Sequence, residues 1–347
     1  MTTPTDDPFR PLGVGIIGLG SIGRTHAGAI DAVDGLEVRA SVGGEGWEGA
    51  TSYGSASDPD AVAHLLADPQ VDAVAICSPS GLHAEHTVAA LEAGKHVLVE
   101  KPVATTVADA RRVVRAAEQA HAEHGAVAGV VSQRRLEPQH VHLKKLVESG
   151  ELGRPLLGEA LVRWFRDKDY YDFAEWRRQA PGGGSLMNQG LHSVDLLRWL
   201  FGEVTEVAAV SDTLVADMEA EDTSVAALRF ASGALGSIVT STATRPGLPA
   251  ELNLYFGTGT VAIHHTDVAR WDVDAPAPPQ AATVDSGASS PMIGTEGHQT
   301  QWSDLLLAIR TGSEPMVTVA DGAATVALIE AVYESARTGQ RVTPERI

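Results

Sequence analysis

Short apolar runs alternate with helix-period stretches through the first part of the chain. Val14–Ile17 is an apolar run, Gly18–Gly23 a glycine turn, and Ile22–Val33 continues as a helix. Leu36–Val42 reads as a strand. Asp58–Ala67 reads as a helix, with Asp58 as N-cap and Pro59 at the first helical position. Val71–Cys77 reads as a strand, and Leu82–Ala93 as a helix closed by Gly94. His96–Glu100 is a strand, Thr106–His121 a helix and Ala126–Val131 a strand. This β-α-β-α rhythm predicts a parallel sheet with helices on both faces.

The pattern changes near residue 135. A helix over Pro138–Ser149 stops at Gly150. Short β-rich segments then follow one another: Leu156–Phe165, Val204–Leu214, Thr223–Phe230, Ala234–Ser241, Glu251–Phe256 and Val261–His264. Consecutive short strands predict a largely antiparallel sheet. A helix over Leu186–Phe201 interrupts them and ends at Gly202. Two more helices are expected over Thr300–Arg310 and Ala320–Arg337, and a Pro-, Ala- and Ser-rich surface loop over Asp274–Ser290. The fold class is therefore α/β. A doubly wound parallel sheet over residues 11–134 precedes an α/β domain with an open, mostly antiparallel sheet over 135–347, and the last helices are free to pack back on the first domain. A length of 347 residues fits two domains, at roughly 100–200 residues each.

Composition narrows the partners. The formal net charge of -19 repels phosphate backbones, so nucleic acid is excluded as an expected partner. The single cysteine, Cys77, rules out an internal disulfide framework. The first ten residues are polar and lack the basic-then-apolar pattern of a signal peptide. No run of about 18 apolar residues occurs, so no membrane span is expected and the cytoplasm is the default location.

Three motifs carry chemistry. The first is Gly18-Leu19-Gly20-Ser21-Ile22-Gly23, a G-x-G-x-x-G that follows an apolar strand and opens a helix. Gly18 permits the tight turn, Gly20 lets the backbone approach a pyrophosphate, and Gly23 lets the helix pack closely on the sheet. The helix start at Ser21 and Ile22 offers N–H groups to the phosphates. The acidic residue expected at the end of the next strand, for the adenosine ribose, is missing. The strand runs into Gly43-Gly44-Glu45-Gly46. No Arg or Lys stands there for a 2′-phosphate either. The cofactor is thus NAD or NADP, with a lean to NAD.

The second motif ends a strand in Glu100-Lys101-Pro102. Lys101 lies at the sheet edge where ligands bind in open parallel sheets, and can polarise a carbonyl or hydroxyl oxygen. An exposed turn lysine paired with Glu100 is the alternative. Pro102 is a candidate for a cis bond.

The third motif runs from Pro181-Gly182-Gly183-Gly184 to Asp195. On a regular helix Asn188, His192 and Asp195 stand at i, i+4 and i+7, along one face. His192 suits proton transfer near neutral pH, Asp195 could set its tautomer, and Asn188 could hold a substrate hydroxyl. A satisfied structural histidine is the alternative. His83/His86, His121/His124 and His192/Asp195 do not make a zinc pattern, so no metal is expected. A nucleophilic serine elbow is absent. Trp164, Trp176, Trp199 and Trp302 read as packing residues. Arg177, beside Trp176, is placed to reach a phosphate or a substrate oxygen, with a surface ion pair as the alternative.

These motifs occur in a familiar order. The sequence resembles the glucose–fructose oxidoreductase / inositol dehydrogenase (Gfo/Idh/MocA) family from about Val14 to Val342. The anchors are Gly18–Gly23 with His26, Ser78-Pro79-Ser80-Gly81-Leu82-His83, Glu100-Lys101-Pro102, Gln133-Arg134-Arg135, and Gly182-Gly183-Gly184 through His192 and Asp195. The resemblance implies a Rossmann domain and a second domain whose open sheet forms an oligomer contact, in a homodimer or homotetramer. It also implies hydride transfer between a nicotinamide and a hydroxyl-bearing carbon of a sugar, inositol or derivative. Lys101 and His192 map to catalytic positions. Ser78, Pro79, His83 and Glu100 map to the nicotinamide side, and Trp176 and Arg177 count with the cofactor contacts. Arg135, Asn188 and Asp195 join Lys101 and His192 as substrate residues. The family often has Asp where this chain has Asn188. Asn cannot act as a base, so proton transfer falls to His192 with help from Lys101. Two alternatives accompany this reading: a redox-neutral NAD-dependent glycosidase or epimerase, and a non-catalytic sensor.

Overall fold

A strand buried on both faces needs no polar alternation, and the first sheet is built from such runs. In the computed structural model, which describes residues 10–55, 58–278 and 295–347, the chain divides into two compact units. The first takes residues 10–103, 112–131 and 295–319. The second takes 104–111, 132–278 and 320–347.

The first unit opens with β1 (Leu12–Ile17), α1 (Ser21–Asp31), β2 (Leu36–Val42), β3 (Thr51–Ser52), α2 (Pro59–Ala67), β4 (Ala73–Ile76), α3 (His83–Glu92), β5 (His96–Val99), α4 (Val107–His124) and β6 (Ala128–Val130). The sheet order is β3-β2-β1-β4-β5-β6, and every pair is parallel. The order reverses at β1, which creates the switch point where such sheets bind ligands. β4 is buried at every residue and β1 at all but its first. Asp58 caps α2 by accepting from Asp60 N–H. The strands expected over Val71–Cys77 and Ala126–Val131 are shorter at each end. β3 was not expected, because two exposed polar residues leave no apolar signal.

The second unit contains α5 (Pro138–Ser149), β7 (Pro155–Arg163), α6 (Lys168–Asp172), α7 (Leu191–Phe201), β8 (Val204–Asp212), β9 (Thr223–Phe230), β10 (Leu235–Ser241), β11 (Glu251–Phe256), β12 (Gly259–His264) and β13 (Asp267–Asp272). The strand order is β13-β12-β11-β7-β10-β9-β8. Only β7 and β10 run parallel; the other pairs are antiparallel. The sequence reading missed β13, an edge strand whose residues are all exposed or half-buried. One face of the sheet is covered by α7. A methyl group at Gly158 would run into Leu197 and Phe201, so glycine there lets the helix close on β7. Phe201 packs between Phe230 and Phe256 on that side. On the other face Val210, Val225, Val239 and Leu161 lie in register across four strands, with Val210 69% exposed.

Two helices complete the chain, α8 (Glu296–Thr311) and α9 (Val319–Thr338). α8 belongs to the first unit, where Trp302, Leu305 and Leu306 join the core around Ile16, Ala27 and Ile30. From residue 279 onward the loop expected over Asp274–Ser290 lies outside the described residues.

Candidate active site

In the first unit the glycine turn follows β1. Gly18 has φ +98°, and a side chain there would meet the Cys77 carbonyl. A methyl at Gly23 would strike the Gly18 carbonyl, whereas among the described residues nothing lies within 4 Å of one at Gly20. α1 starts after Gly20 with no side-chain cap, so the amides of Ser21, Ile22 and Gly23 meet no capping side chain. Open space beside uncapped helix amides fits a dinucleotide pyrophosphate.

At the end of β5 a buried hydrogen-bonded chain surrounds Glu100. Trp302 Nε1–H donates to His26 Nδ1 at 3.0 Å. A nitrogen that accepts carries no proton, so the proton of neutral His26 sits on Nε2 and is donated to Glu100 Oε1 at 3.0 Å. Glu100 Oε2 accepts the Lys101 backbone N–H, also at 3.0 Å. His298 Nε2 lies 3.4 Å from Glu100 Oε1, and its ring meets His26 edge-on. His26, Glu100 and His298 have the spacing of a metal site. The Trp302 bond, however, leaves a proton on the His26 nitrogen that a metal would need, so the trio fits hydrogen bonding rather than metal ligation. Burial alone would raise the Glu100 carboxyl, but the two imidazoles outweigh it and hold it well below the usual carboxylate range. Burial lowers His26 against the pull of Glu100.

Lys101 follows, half-buried, with a cis bond to Pro102. Burial lowers its amine, and the field of Glu100 opposes the shift. His83, expected on the nicotinamide side, has its ring between two backbone turns. It is buried, with Nδ1 2.6 Å from the Pro102 carbonyl and Nε2 2.8 Å from the Ser78 carbonyl. Both ring nitrogens are engaged by backbone, so His83 ties the Ser78 turn to the Lys101–Pro102 turn. Ser78 Oγ is bonded to His86, and Pro79 is exposed at the start of a short turn.

In the second unit the helix expected over Leu186–Phe201 is two structures. Residues Gly184–Gly190 wind as a π-helix, and α7 begins at Leu191. The wider turn is held at its start by Glu221 and Tyr333. Glu221 Oε1 accepts from Leu186 N–H at 2.7 Å and from the Ser185 hydroxyl, and Tyr333 accepts from Met187 N–H. Burial raises the Glu221 carboxyl, partly offset by these donors.

The change of pitch breaks the expected single face. Asn188 lies in the π-helical turn and His192 in the first turn of α7, both half-buried. Asn188 Nδ2 and Gln189 Nε2 both donate to the Tyr170 hydroxyl, at 3.1 and 2.7 Å. Asp195 turns elsewhere. Its Oδ1 accepts from Arg135 Nη2 at 2.6 Å and Thr325 at 2.8 Å, and its Oδ2 from Arg135 Nε at 2.7 Å and Ser132 at 2.6 Å. Arg135 also meets Asp321 at 3.1 Å. With Arg135 at 1% and Asp195 at 3% exposure, the two hold each other. This corrects their place among the substrate residues: a carboxylate with four donors has no position left for a sugar or for His192. Despite burial, the Arg135 and Arg198 charges bring the Asp195 carboxyl down to about 2. Trp176 and Arg177 lie on the single turn Glu175–Arg178, where the Arg177 guanidinium stacks 4.1 Å over the Tyr170 ring.

Residues 12–126 match the model of the oxidoreductase family with an NAD-binding Rossmann fold, and residues 140–262 that of the GFO/IDH/MocA C-terminal domain. An uncharacterized oxidoreductase of Bacillus subtilis, YrbE, is 31% identical over 73% of this chain and 74% of its own length. The chain belongs to the GFO/IDH/MocA family. It is a nicotinamide-dependent oxidoreductase. The 1,5-anhydro-D-fructose reductase of Ensifer adhaerens is 28% identical, covering 94% of this chain and 96% of that protein. The WlbA dehydrogenase of Bordetella pertussis, solved with NADH and UDP-GlcNAcA, superposes with a TM-score of 0.83 at 33% identity, over 97% of this chain and all of that one.

Within this family member, the adenosine end of the Rossmann unit differs from the sequence expectation. No cation was expected near the end of β2, yet Arg24 projects from α1 to within 3.8 Å of Glu45. Helical pitch, and not proximity in sequence, brings it there. Tyr170, Glu221 and Tyr333 were also missed, because nothing in their spacing ties them to Asn188, and Gln189 was passed over although it is the next residue. Among the described residues, no helix is long and apolar enough to cross a membrane.

Proposed function

We propose that this oxidoreductase transfers hydride between NAD(P) and a hydroxyl-bearing carbon of a sugar, inositol or sugar derivative. When bound, the nicotinamide supplies the hydride acceptor or donor. The Lys101 ammonium donates a hydrogen bond to the reacting oxygen and stabilises negative charge as it develops. His192 takes the hydroxyl proton in oxidation and returns it in reduction. Asn188 orients the sugar through its amide, itself fixed by Tyr170. Glu100 holds the backbone at Lys101, and Arg135 with Asp195 braces α7 from within. Support comes above all from one edge of the first sheet. The open, uncapped start of α1 and the half-buried amine after β5 both stand at carboxyl ends of its strands.

Titration with NADH and NADPH, followed by a screen of sugars and polyols for change in nicotinamide absorbance, tests the reading. Affinity for one nucleotide and turnover of a sugar alcohol are expected. Turnover without net change in nicotinamide would favour a redox-neutral reaction, which the dehydrogenase and reductase relatives do not favour. The likeness to WlbA makes a nucleotide sugar acid the second substrate to test. The in-register apolar row Val210, Val225, Val239 and Leu161 supports pairing of copies into a homodimer or homotetramer. Light scattering of the purified chain at a monomer mass would contradict it.

A further inference from the structure

Next to Asn188 the second unit gathers cations around one phenol. Arg177 lies face-on to Tyr170, 4.1 Å from the ring centre, and also contacts the rings of Phe173 and Trp176. Arg166 lies 5.1 Å from the same ring centre and donates Nη2–H to Gln189 Oε1 at 3.0 Å. The phenol hydroxyl in turn accepts from Asn188 and Gln189. The guanidinium of Arg177 and the amide of Asn188 thus stand on one aromatic ring, one at its face and the other at its hydroxyl.

Several carboxylates nearby in sequence have other work. Asp172 pairs with Lys168 and Arg178, and Asp167 caps α6 at Tyr170 N–H. Glu175 accepts from Gln179. Glu221 holds the start of the π-helical turn, and Asp222 takes the amides of Leu214, Val215 and Ala216. Among the described residues Arg177 forms no ion pair. Its Nη1 donates to the Tyr170 carbonyl at 2.7 Å, and its Nε is buried without a partner. What remains is the side-on edge of Nε and Nη2, the edge that binds a carboxylate or phosphate through two parallel hydrogen bonds. The two guanidiniums repel each other across Tyr170, and this repulsion contributes to lowering Arg166 beyond the effect of its burial. An anion at that edge would relieve both the repulsion and the orphaned donor.

We propose that Arg177, assisted by Arg166, binds an oxyanion carried by the substrate, a carboxylate or phosphate attached to the sugar that Asn188 orients. The proposal rests on the sugar-oxidoreductase reading above and narrows its substrate to sugar acids and sugar phosphates. It moves Arg177 from the cofactor to the substrate.

The test uses the full chain loaded with NADH and a panel of neutral hexoses, their matching uronates and their 1-phosphates, titrated by calorimetry. A uronate or a sugar phosphate is expected to bind at least tenfold tighter than its neutral parent, and the two arms tell carboxylate from phosphate. Arg177→Gln is expected to cut affinity for that anion at least tenfold more than for the neutral sugar. Arg177→Lys, which keeps the charge but loses the two-donor edge, should fall between. Equal affinity for neutral and charged members in the wild type would overturn the proposal, and so would equal losses in Arg177→Gln. A matching loss of NADH affinity would return Arg177 to the cofactor and overturn it too. If NADH binds and no member of the panel does, the sugar reading falls and the oxyanion site with it. If neutral sugars bind and anions gain nothing, only the oxyanion site falls.

Discussion

The two units present their polar groups in opposite ways. In the first, the expected ligand contacts are backbone: the open Gly20 position and the uncapped amides of Ser21, Ile22 and Gly23. Its buried side chains form a hydrogen-bonded chain in which a neutral imidazole, His26, stands between Trp302 and Glu100. In the second, side chains do nearly everything. A fully ionic cluster of Asp195, Arg135, Arg198 and Asp321 lies beneath α7, and a phenol flanked by two guanidiniums orients Asn188. A backbone cradle reads a pyrophosphate that many enzymes share. A side-chain platform can be remade for each substrate, so the proposed function predicts that substrate specificity follows the second unit.

The sharpest break of this contrast is Lys101→Ala. Lys101 is the one side chain of the first unit assigned to the chemistry. Turnover should fall by about 10²–10⁴-fold, the usual worth of a positioned proton-transfer group, while the NADH dissociation constant stays within a few-fold. Steady-state kinetics beside an NADH titration separates the two. Comparable loss in both would make Lys101 a cofactor ligand instead.

Asp195→Asn probes the ionic cluster. Removing the charge leaves Arg135 and Arg198 buried against each other, at a cost of about 3–5 kcal/mol in unfolding free energy by denaturant titration. The pH dependence has a definite sign. The Asp195 carboxyl titrates at about 2 in the fold, below its unfolded value, so its contribution is complete above that unfolded value. It is lost as pH falls toward about 2, and amounts to about 2–3 kcal/mol. The Asn variant should lack this acid-side slope. An identical slope in both chains would remove Asp195 from the ionic account.

Trp302→Phe makes the matching test on the first unit. It keeps a ring but removes the donor to His26 Nδ1, leaving a buried acceptor unsatisfied at a cost of about 1–3 kcal/mol. Smaller still is Arg24→Ala, at the exposed pair with Glu45. It should change the preference between NADH and NADPH by a few-fold at most, since a screened surface pair is worth about 0–1 kcal/mol.

The same contrast explains what could be read in advance. Gly18–Gly23 was legible because its function lies in backbone freedom, which glycine spacing encodes locally. Glu100, Lys101 and the parallel order of the first sheet were legible for the same reason: strand, helix and strand follow one another in the chain. Asn188, His192 and Asp195 were identified as residues, but their geometry was misread. A switch from π to α winding leaves no mark in hydropathy, and seven residues along a regular helix are not seven residues across that switch. Asp195 meets its partners at residues 132, 135 and 325, and Trp302 meets His26 across 276 residues of sequence. Pairings at that separation are set by the packing of whole units, and no local pattern announces them.

Titration of NADH into wild type and Gly20→Ala, with both melting curves recorded, tests most directly whether the backbone after β1 is the cofactor cradle. A methyl at Gly20 meets nothing within 4 Å among the described residues, so melting should be unchanged while NADH affinity drops at least tenfold. Equal affinity in the two chains, or no NADH binding by the wild type, would contradict the account.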